Sequence, residues 1–411
     1  MRWKATADLA IPPDKLKMPE EEAEKYTISL DTPLLGGGVK SLEIDENMPI
    51  RVQSIRGHLR FWWRTFQKCE SAQELFEKEE KIWGSTKQAS SVKMRVSIER
   101  TGVKFIYYRE KENPYLPKYV IFPLNNTKND KEQHINSFTL MKDIKFNLYL
   151  TYLKKDRDRD EILTSLKLWL LFGGIGARTR RGMGSLSCPD LTGWKNKNDV
   201  EEWLKRKMPT SKTFENRGWP NLFGARLLIT EKKLNPSSDD TILIWKQWIR
   251  QYEKFRQYRV NKKDLSRLDP YGISTWPEAN AIRSGNPSDL FFPRAAYGLP
   301  IMFHFKNNPR FNSQLHPNMK NKTDRWASPV IIKTFKISAG TYLKICLKLN
   351  SKLPESFKLM RETGVELIPA SAGPLERHSL ITKPPLENND PYTALLKAMG
   401  GKGMILGGEK K

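Results

Sequence analysis

The sequence predicts an α+β protein made of two tandem ferredoxin-like units, each an RRM-like β-α-β-β-α-β fold with insertions. Three observations carry this. A chain of 411 residues exceeds one ordinary hydrophobic core. The first half alternates period-two and period-3.6 hydrophobic patterns in the order strand, helix, strands, helix, strand. The second half offers a similar but more decorated set, with no short solenoid-type repeat anywhere.

The first strand is expected within residues 26–35, which end at Pro33 and the run Gly36-Gly37-Gly38. Helical periodicity follows over 54–68, and a polar helix over 72–82. Val92, Met94, Val96 and Ile98 then alternate on one face of a half-buried strand, and residues 105–108 and 120–124 continue the β character. The polar stretch 125–137 reads as a surface insertion. Phe146, Leu148, Leu150 and Tyr152 alternate again, a second helix runs over 161–172 to Gly173, and a short strand is expected at 185–188.

Residues 193–220, rich in Lys, Asn, Trp, Pro and Gly, read as a linker holding one short helix at 199–207. The first domain is then 1–192. A second domain over 221–372 is expected to contain strands at 222–230, 299–305, 330–337 and 343–349 and a helix at 241–258, whose apolar positions include Trp245, Trp248 and Tyr252. Residues 373–411, with prolines, glycines and a helix candidate at 393–399, read as a C-terminal surface extension.

Lys and Arg number 71 against 46 Asp and Glu, a formal net charge of +25. That excess calls for a polyanion, with nucleic acid ahead of acidic lipid or acidic protein. The longest apolar run, 166–175, contains Lys167 and is far too short to span a membrane. No secretory signal pattern opens the chain, so the expected location is the cytoplasm. Three widely separated cysteines, Cys69, Cys188 and Cys346, suggest neither a disulfide framework nor a zinc or redox pair.

Two basic features stand out. Arg56, Arg60, Arg64 and Lys68 recur every four residues after Arg51, without an acidic residue between Met48 and Cys69. Spacing of four places them on one helical face, where like charges repel by a few tenths of a kcal/mol per pair, so something negative should cover them. RNA phosphates would do so, and Trp63, at the border of the apolar stripe, would offer a ring face to a base. The alternative is that Trp62, Trp63 and Phe66 are core and the arginines are satisfied by acids elsewhere.

The second feature is the loop 173–184, Gly-Gly-Ile-Gly-Ala-Arg-Thr-Arg-Arg-Gly-Met-Gly. Gly174, Gly176 and Gly182 would allow close backbone approach to a phosphodiester, with Arg178, Arg180 and Arg181 supplying charge and bidentate donors. It lacks the Walker Gly-Lys-Ser/Thr ending and the dinucleotide Gly-x-Gly-x-x-Gly, and it follows a helix rather than preceding one.

This loop resembles the glycine-rich loop of the RAMP superfamily of CRISPR proteins. The string Ile55-Arg56-Gly57-His58-Leu59-Arg60-Phe61-Trp62-Trp63-Arg64, preceded by Thr32-Pro33-Leu34-Leu35-Gly36-Gly37, is similar to the two-domain RAMP subunit of type III-B (Cmr) effector complexes that lies near the guide's 3′ end. Pro293 to Pro300, with Arg294, and Arg325 to Pro329 look like later motifs of the same subunit. The resemblance implies two ferredoxin-like RAMP domains, contact with CRISPR guide RNA and single-stranded target RNA, and assembly with other Cmr subunits. It implies no cofactor and no catalysis, with target cleavage belonging to another RAMP subunit.

RAMP proteins also include metal-independent endoribonucleases that process CRISPR RNA, so the five histidines matter. None of His58, His134, His304, His316 and His378 has metal-ligand or His-Asp spacing, and no metal site is expected. His58 lies within the basic helix, but on the far side of its apolar stripe from the arginines. It is the residue to test for the catalytic alternative.

Overall fold

The structure is a computed structural model that describes residues 23–38, 42–108, 116–121, 137–153, 156–208, 218–237, 239–269, 271–284, 291–305, 308–319, 324–354, 356–369 and 383–407. The first unit runs β1 (Glu24–Leu30), β2 (Leu34–Leu35), α1 (Val52–Thr65), α2 (Ala72–Trp83), β3 (Val92–Arg100), β4 (Val103–Tyr108), α3 (Lys118–Ile121), β5 (Ser137–Lys142), β6 (Lys145–Tyr152), α4 (Asp156–Phe172) and β7 (Leu186–Ser187). Its main sheet has the spatial order β3-β6-β1-β7, with every pairing antiparallel. Period-two alternation drives this. Ile28, Leu148 and Leu150 face inward and are fully buried under α1 and α4, while Lys25, Thr27 and Tyr149 point to the opposite face. A smaller sheet, β2-β5-β4, flanks it.

Two expectations change here. Residues 118–121, expected as part of a strand, form the short helix α3 with Val120 and Ile121 buried; β-branched residues are compatible with one helical turn once tertiary burial favours it. Most of the expected insertion 125–137 lies outside the described residues, and Ser137 opens β5.

After β7 come α5 (Pro189–Thr192) and α6 (Lys197–Lys207). The expected linker therefore begins as packed structure: Trp194, Val200, Trp203 and Leu204 are buried in the main core, and Asn196 caps α6 with its side chain. Residues 209–217 lie outside the described residues.

The second unit contains β8 (Asn221–Lys233), α7 (Thr241–Gln257), β9 (Arg259–Val260), β10 (Ile273–Ser274), α8 (Pro277–Ser284), β11 (Ile301–Phe303), β12 (Ser313–Asn318), β13 (Val330–Ser338), β14 (Thr341–Asn350), β15 (Ser356–Arg361), β16 (Gly364–Pro369), α9 (Pro391–Ala398) and β17 (Met404–Ile405). Its main sheet is β13-β14-β8-β17, all antiparallel. Taking β8, α7, β13, β14, α9 and β17 in turn repeats the strand and helix order of the first unit, and the spatial order of the strands repeats as well. A separate sheet, β11-β12-β15-β16, is the main decoration.

The tail corrects the expected domain boundary. Residues 391–405 supply the last helix and the last strand of the second unit rather than a surface extension. Leu395, Leu396 and Met399 are buried against α7, Asp390 caps α9 with Pro391 at its first position, and β17 pairs with β8. Burial of these side chains contributes about 1.5–3 kcal/mol each on the area scale toward ordering the segment.

The two units share a core. Trp169, Leu170 and Ile28 of the first cluster with Leu227, Phe335 and Leu343 of the second. Lys333 of β13 crosses the boundary fully buried, and its ammonium donates to the carbonyls of Leu170 and of Gly173, the latter at 2.7 Å. Burial pushes its pKa down to about 7.

Candidate RNA interface

The basic helix α1 does not present its arginines to solvent as a free stripe. Helix α2 packs beside it and brings up Glu79, which is only 4% exposed. One Glu79 oxygen accepts from Arg60 Nε, and the carboxylate takes a forked pair from Arg64 at 2.7 and 3.0 Å. Arg56 donates to the carbonyls of Trp83 and Val92 at 3.0 and 3.4 Å, and burial together with Arg60 lowers its pKa. The cover expected from phosphate is supplied by the protein itself. Trp63 is likewise corrected: it is fully buried, and its indole N–H donates to Glu161 at 2.8 Å, so it has no ring face for a base.

The Arg/Gly loop follows the same logic. Arg178, itself in the left-handed region at φ 61°, donates Nε to Val120 O at 2.9 Å. Arg180 reaches the Ser328 carbonyl, and Arg181 donates to Val330 O at 2.7 Å, to the Tyr252 hydroxyl at 3.2 Å and to Ser328 Oγ at 3.1 Å. The Arg181 guanidinium also lies 4.8 Å from the Tyr252 ring centre. Burial pushes Arg178 down to about 10 and lowers Arg180. Instead of gripping phosphate, the three side chains hold the loop within the first unit and against the second.

The glycines serve the same close packing. A Cβ on Gly176, at φ 79°, would lie 2.5 Å from Leu35 O, and one on Gly182 would meet the Trp245 ring, whose N–H donates to Arg181 O. Gly174 is buried behind the loop. Backbone donors are spent internally too, Ala177 N on Leu35 O and Gly184 N on Pro33 O.

What the loop does leave open is a cleft of about 490 Å³ between β2, the start of α1 and the loop itself. Gly36, Gly37 and Gly38 form one wall, Ile175, Gly176 and Ala177 the other, and Ser54 and His58 of α1 lie between them. Arg51, just ahead of α1, donates to the Gly37 carbonyl at the rim. His58 stacks on Trp169 with ring centres 5.9 Å apart and 14° between planes, and burial lowers its pKa, which keeps it neutral at pH 7. The glycine wall lets a sugar-phosphate chain or a base come close to backbone, with Leu34, Leu42, Pro49 and Ile175 as apolar lining and a hydroxyl and an imidazole as polar edges.

Residues 27–187 match the family model described as the RAMP superfamily, a span that covers β1 to β7 and the cleft. Over that span the first unit is similar to the RAMP superfamily. One similar protein is the CRISPR system Cmr subunit Cmr1-2 of Pyrococcus furiosus, 29% identical over 151 residues, which are 32% of this chain and 79% of that protein. Among solved structures, Cmr1 from Pyrococcus furiosus aligns over 84% of this chain and 93% of its own at 17% identity and a TM-score of 0.44. A chain of a type III-B Cmr-beta complex bound to cognate target RNA aligns over 81% and 96% at 11% identity and a TM-score of 0.40.

Of the expected contact residues, the structure places Gly176 in the cleft, holds Arg51 beside it through the Gly37 carbonyl, and gives Arg56, Arg60, Trp63, Arg64, Arg178, Arg180 and Arg181 internal partners. In the second unit Arg294 is also internal: it pairs with Glu278, which is fully buried, at 3.3 Å. Arg325 is exposed beside the bridge between Leu299 and Trp326. Sequence reasoning missed Gly36 to Gly38, Ser54 and His58 as a group. The triple glycine was its one visible signal. Among the described residues no cluster of His, Cys, Asp and Glu could hold a metal ion, and no helix is long and apolar enough to cross a membrane.

Proposed function

We propose that this chain is a non-catalytic RNA-binding subunit of a type III-B Cmr RNA-guided complex, built from two ferredoxin-like RAMP domains. It binds the 3′ region of the guide, single-stranded target RNA or both, alongside other Cmr subunits in the cytoplasm. The observation that carries the proposal is the glycine-walled cleft inside the RAMP-matching residues, with Arg51 at its rim. The net charge of +25 and the names of the similar proteins support it.

The test fills the cleft without touching charge. Ser54→Trp on the purified chain should lower affinity for labelled single-stranded RNA by an order of magnitude or more while the melting temperature holds. Wild-type affinity should also fall steeply with salt, as counterion release requires. Unchanged affinity in Ser54→Trp would remove the cleft from the interface.

A second reading, a metal-independent endoribonuclease, is favoured by one observation: a neutral His58 lines the cleft, where it could accept a proton. Incubation with labelled CRISPR RNA without divalent metal decides between the two. Cleavage that is lost in His58→Ala would make the protein an enzyme.

A further inference from the structure

The outer face of the first sheet is left without a role by the cleft. Along β6, Phe146, Leu148 and Leu150 point into the core, so Lys145, Asn147, Tyr149 and Thr151 point the other way. Register places Arg95 of β3 and Lys25 of β1 opposite Tyr149, one on each side. The next row holds Ser97, Asn147 and Thr27, and the row on the other side pairs Lys93 with Thr151. Lys25, Lys93 and Arg95 are exposed.

Chemistry distinguishes this face from an ordinary solvated one. The Arg95 guanidinium sits 3.8 Å from the centre of the Tyr149 ring, an aromatic and a planar cation already stacked at the surface. Ser97 Oγ lies 3.5 Å from the Tyr149 hydroxyl, and Thr27 Oγ1 donates to Asn147 Oδ1 at 2.9 Å, so the neighbouring row carries an amide and hydroxyls that suit base edges. Hydrogen bonding from Ser97 and the nearby Lys25 and Arg95 charges lower the Tyr149 pKa, a sign of a positive local field. Lys145 pairs with Glu99 at 2.7 Å, while Lys25 and Arg95 flank the ring as exposed cations.

We infer that this open sheet face, centred on Tyr149 and Arg95, is a stacking platform for single-stranded RNA, separate from the glycine-walled cleft. The inference rests on the RNA-binding reading above and adds a second place of contact. A base stacks on the Tyr149 and Arg95 planes, the half-buried hydroxyls of Ser97 and Thr27 lie toward its edges, and Lys25 lies where the backbone passes. The charge sign disfavours an apolar or basic protein surface as occupant, and the aromatic plane stacked with a cation favours RNA over an acidic protein surface, which offers no base to stack.

The experiment measures anisotropy of a labelled single-stranded RNA of mixed sequence with the full chain and three variants. Tyr149→Ala should weaken binding by about 5- to 100-fold, the equivalent of one stacked base, while Tyr149→Phe keeps wild-type affinity. Lys25→Ala should flatten the dependence of log affinity on log salt by about 0.7, the value of one single-strand phosphate. Melting temperatures of all three should match wild type, since these side chains lie on the exposed face. Wild-type binding that none of the variants alters overturns the platform and leaves the cleft untouched. Equal losses in Tyr149→Ala and Tyr149→Phe overturn it as well, because stacking survives in the latter. A wild-type chain that binds no RNA overturns the functional reading itself, and the platform with it.

Discussion

Helix α1 with the Arg/Gly loop and the outer face of the first sheet are both basic, yet they use charge in opposite ways. On α1 and in the loop, Arg56, Arg60, Arg64, Arg178, Arg180 and Arg181 each have protein acceptors, several of them backbone carbonyls of the second unit. On the sheet face, Lys25 and Arg95 are exposed, and Arg95 lies over the Tyr149 ring. The denser cluster of cations is thus the structural one. An arginine with five donors in a rigid fork is well suited to closing off buried carbonyls, and it does so here at the joint between two domains.

If that contrast holds, damage to the first region should appear as lost stability and damage to the second as lost affinity. The largest effect is expected at Trp63. Trp63→Ala deletes a fully buried ring and removes one donor from Glu161, which should cost about 3–5 kcal/mol in urea unfolding. The RNA affinity of its folded fraction should match wild type. Specific loss of binding with unaltered stability would return Trp63 to the interface.

Arg181→Ala comes next. It strips charged donors from Val330 O, the Tyr252 hydroxyl and Ser328 Oγ and should cost roughly 1.5–3 kcal/mol. Domain separation should accompany the loss, seen as faster hydrogen exchange in both β13 and the loop. A variant whose only defect is weaker RNA binding would restore the phosphate-gripping role.

Glu79→Ala sharpens the contrast from the other side, with a smaller expected cost of about 1 kcal/mol because Arg60 and Arg64 are about a third exposed and can be hydrated. Freed of their carboxylate, the two arginines become available to a polyanion, so RNA affinity should rise and the salt dependence should steepen. A drop in affinity would show instead that Glu79 holds an RNA-contacting geometry.

The elements with strong hydrophobic periodicity were legible in the sequence: β3, β6, α4, α7 and β14 lie within a few residues of expectation. Periodicity reports burial of one face, and these elements have one. The helix candidate at 393–399 matches α9 to within two residues, but the place of the tail in the second unit was not legible, because β17 is two residues long and only pairing with β8 and packing on α7 define that place. The site shows the same limit. Spacing of four placed Arg56, Arg60 and Arg64 on one face, but the carboxylate of Arg60 and Arg64 lies 15 to 19 residues on, Arg56 finds carbonyls 27 and 36 residues on, and Arg181 finds Val330 at a separation of 149. Type and local spacing reveal that a charge exists; only the fold reveals what neutralises it.

The smallest expected effect concerns His58, which belongs to the cleft and shares α1 with the neutralised arginines. Burial against Trp169 lowers its pKa below the usual 6.5. A depressed folded-state pKa means that the contribution to stability is complete above about pH 6.5 and is lost as pH falls through the folded value, when protonation must occur in a buried stack. His58→Phe keeps an aromatic plane against Trp169 and cannot be protonated. Its stability relative to wild type should therefore improve as pH is lowered from 7.5 to 5.5, a difference readable by thermal melts at both values. Should the variant and wild type respond to pH in parallel, His58 would be reaching solvent through the cleft. Its imidazole would then be open to charge at acidic pH and able to meet an RNA phosphate there.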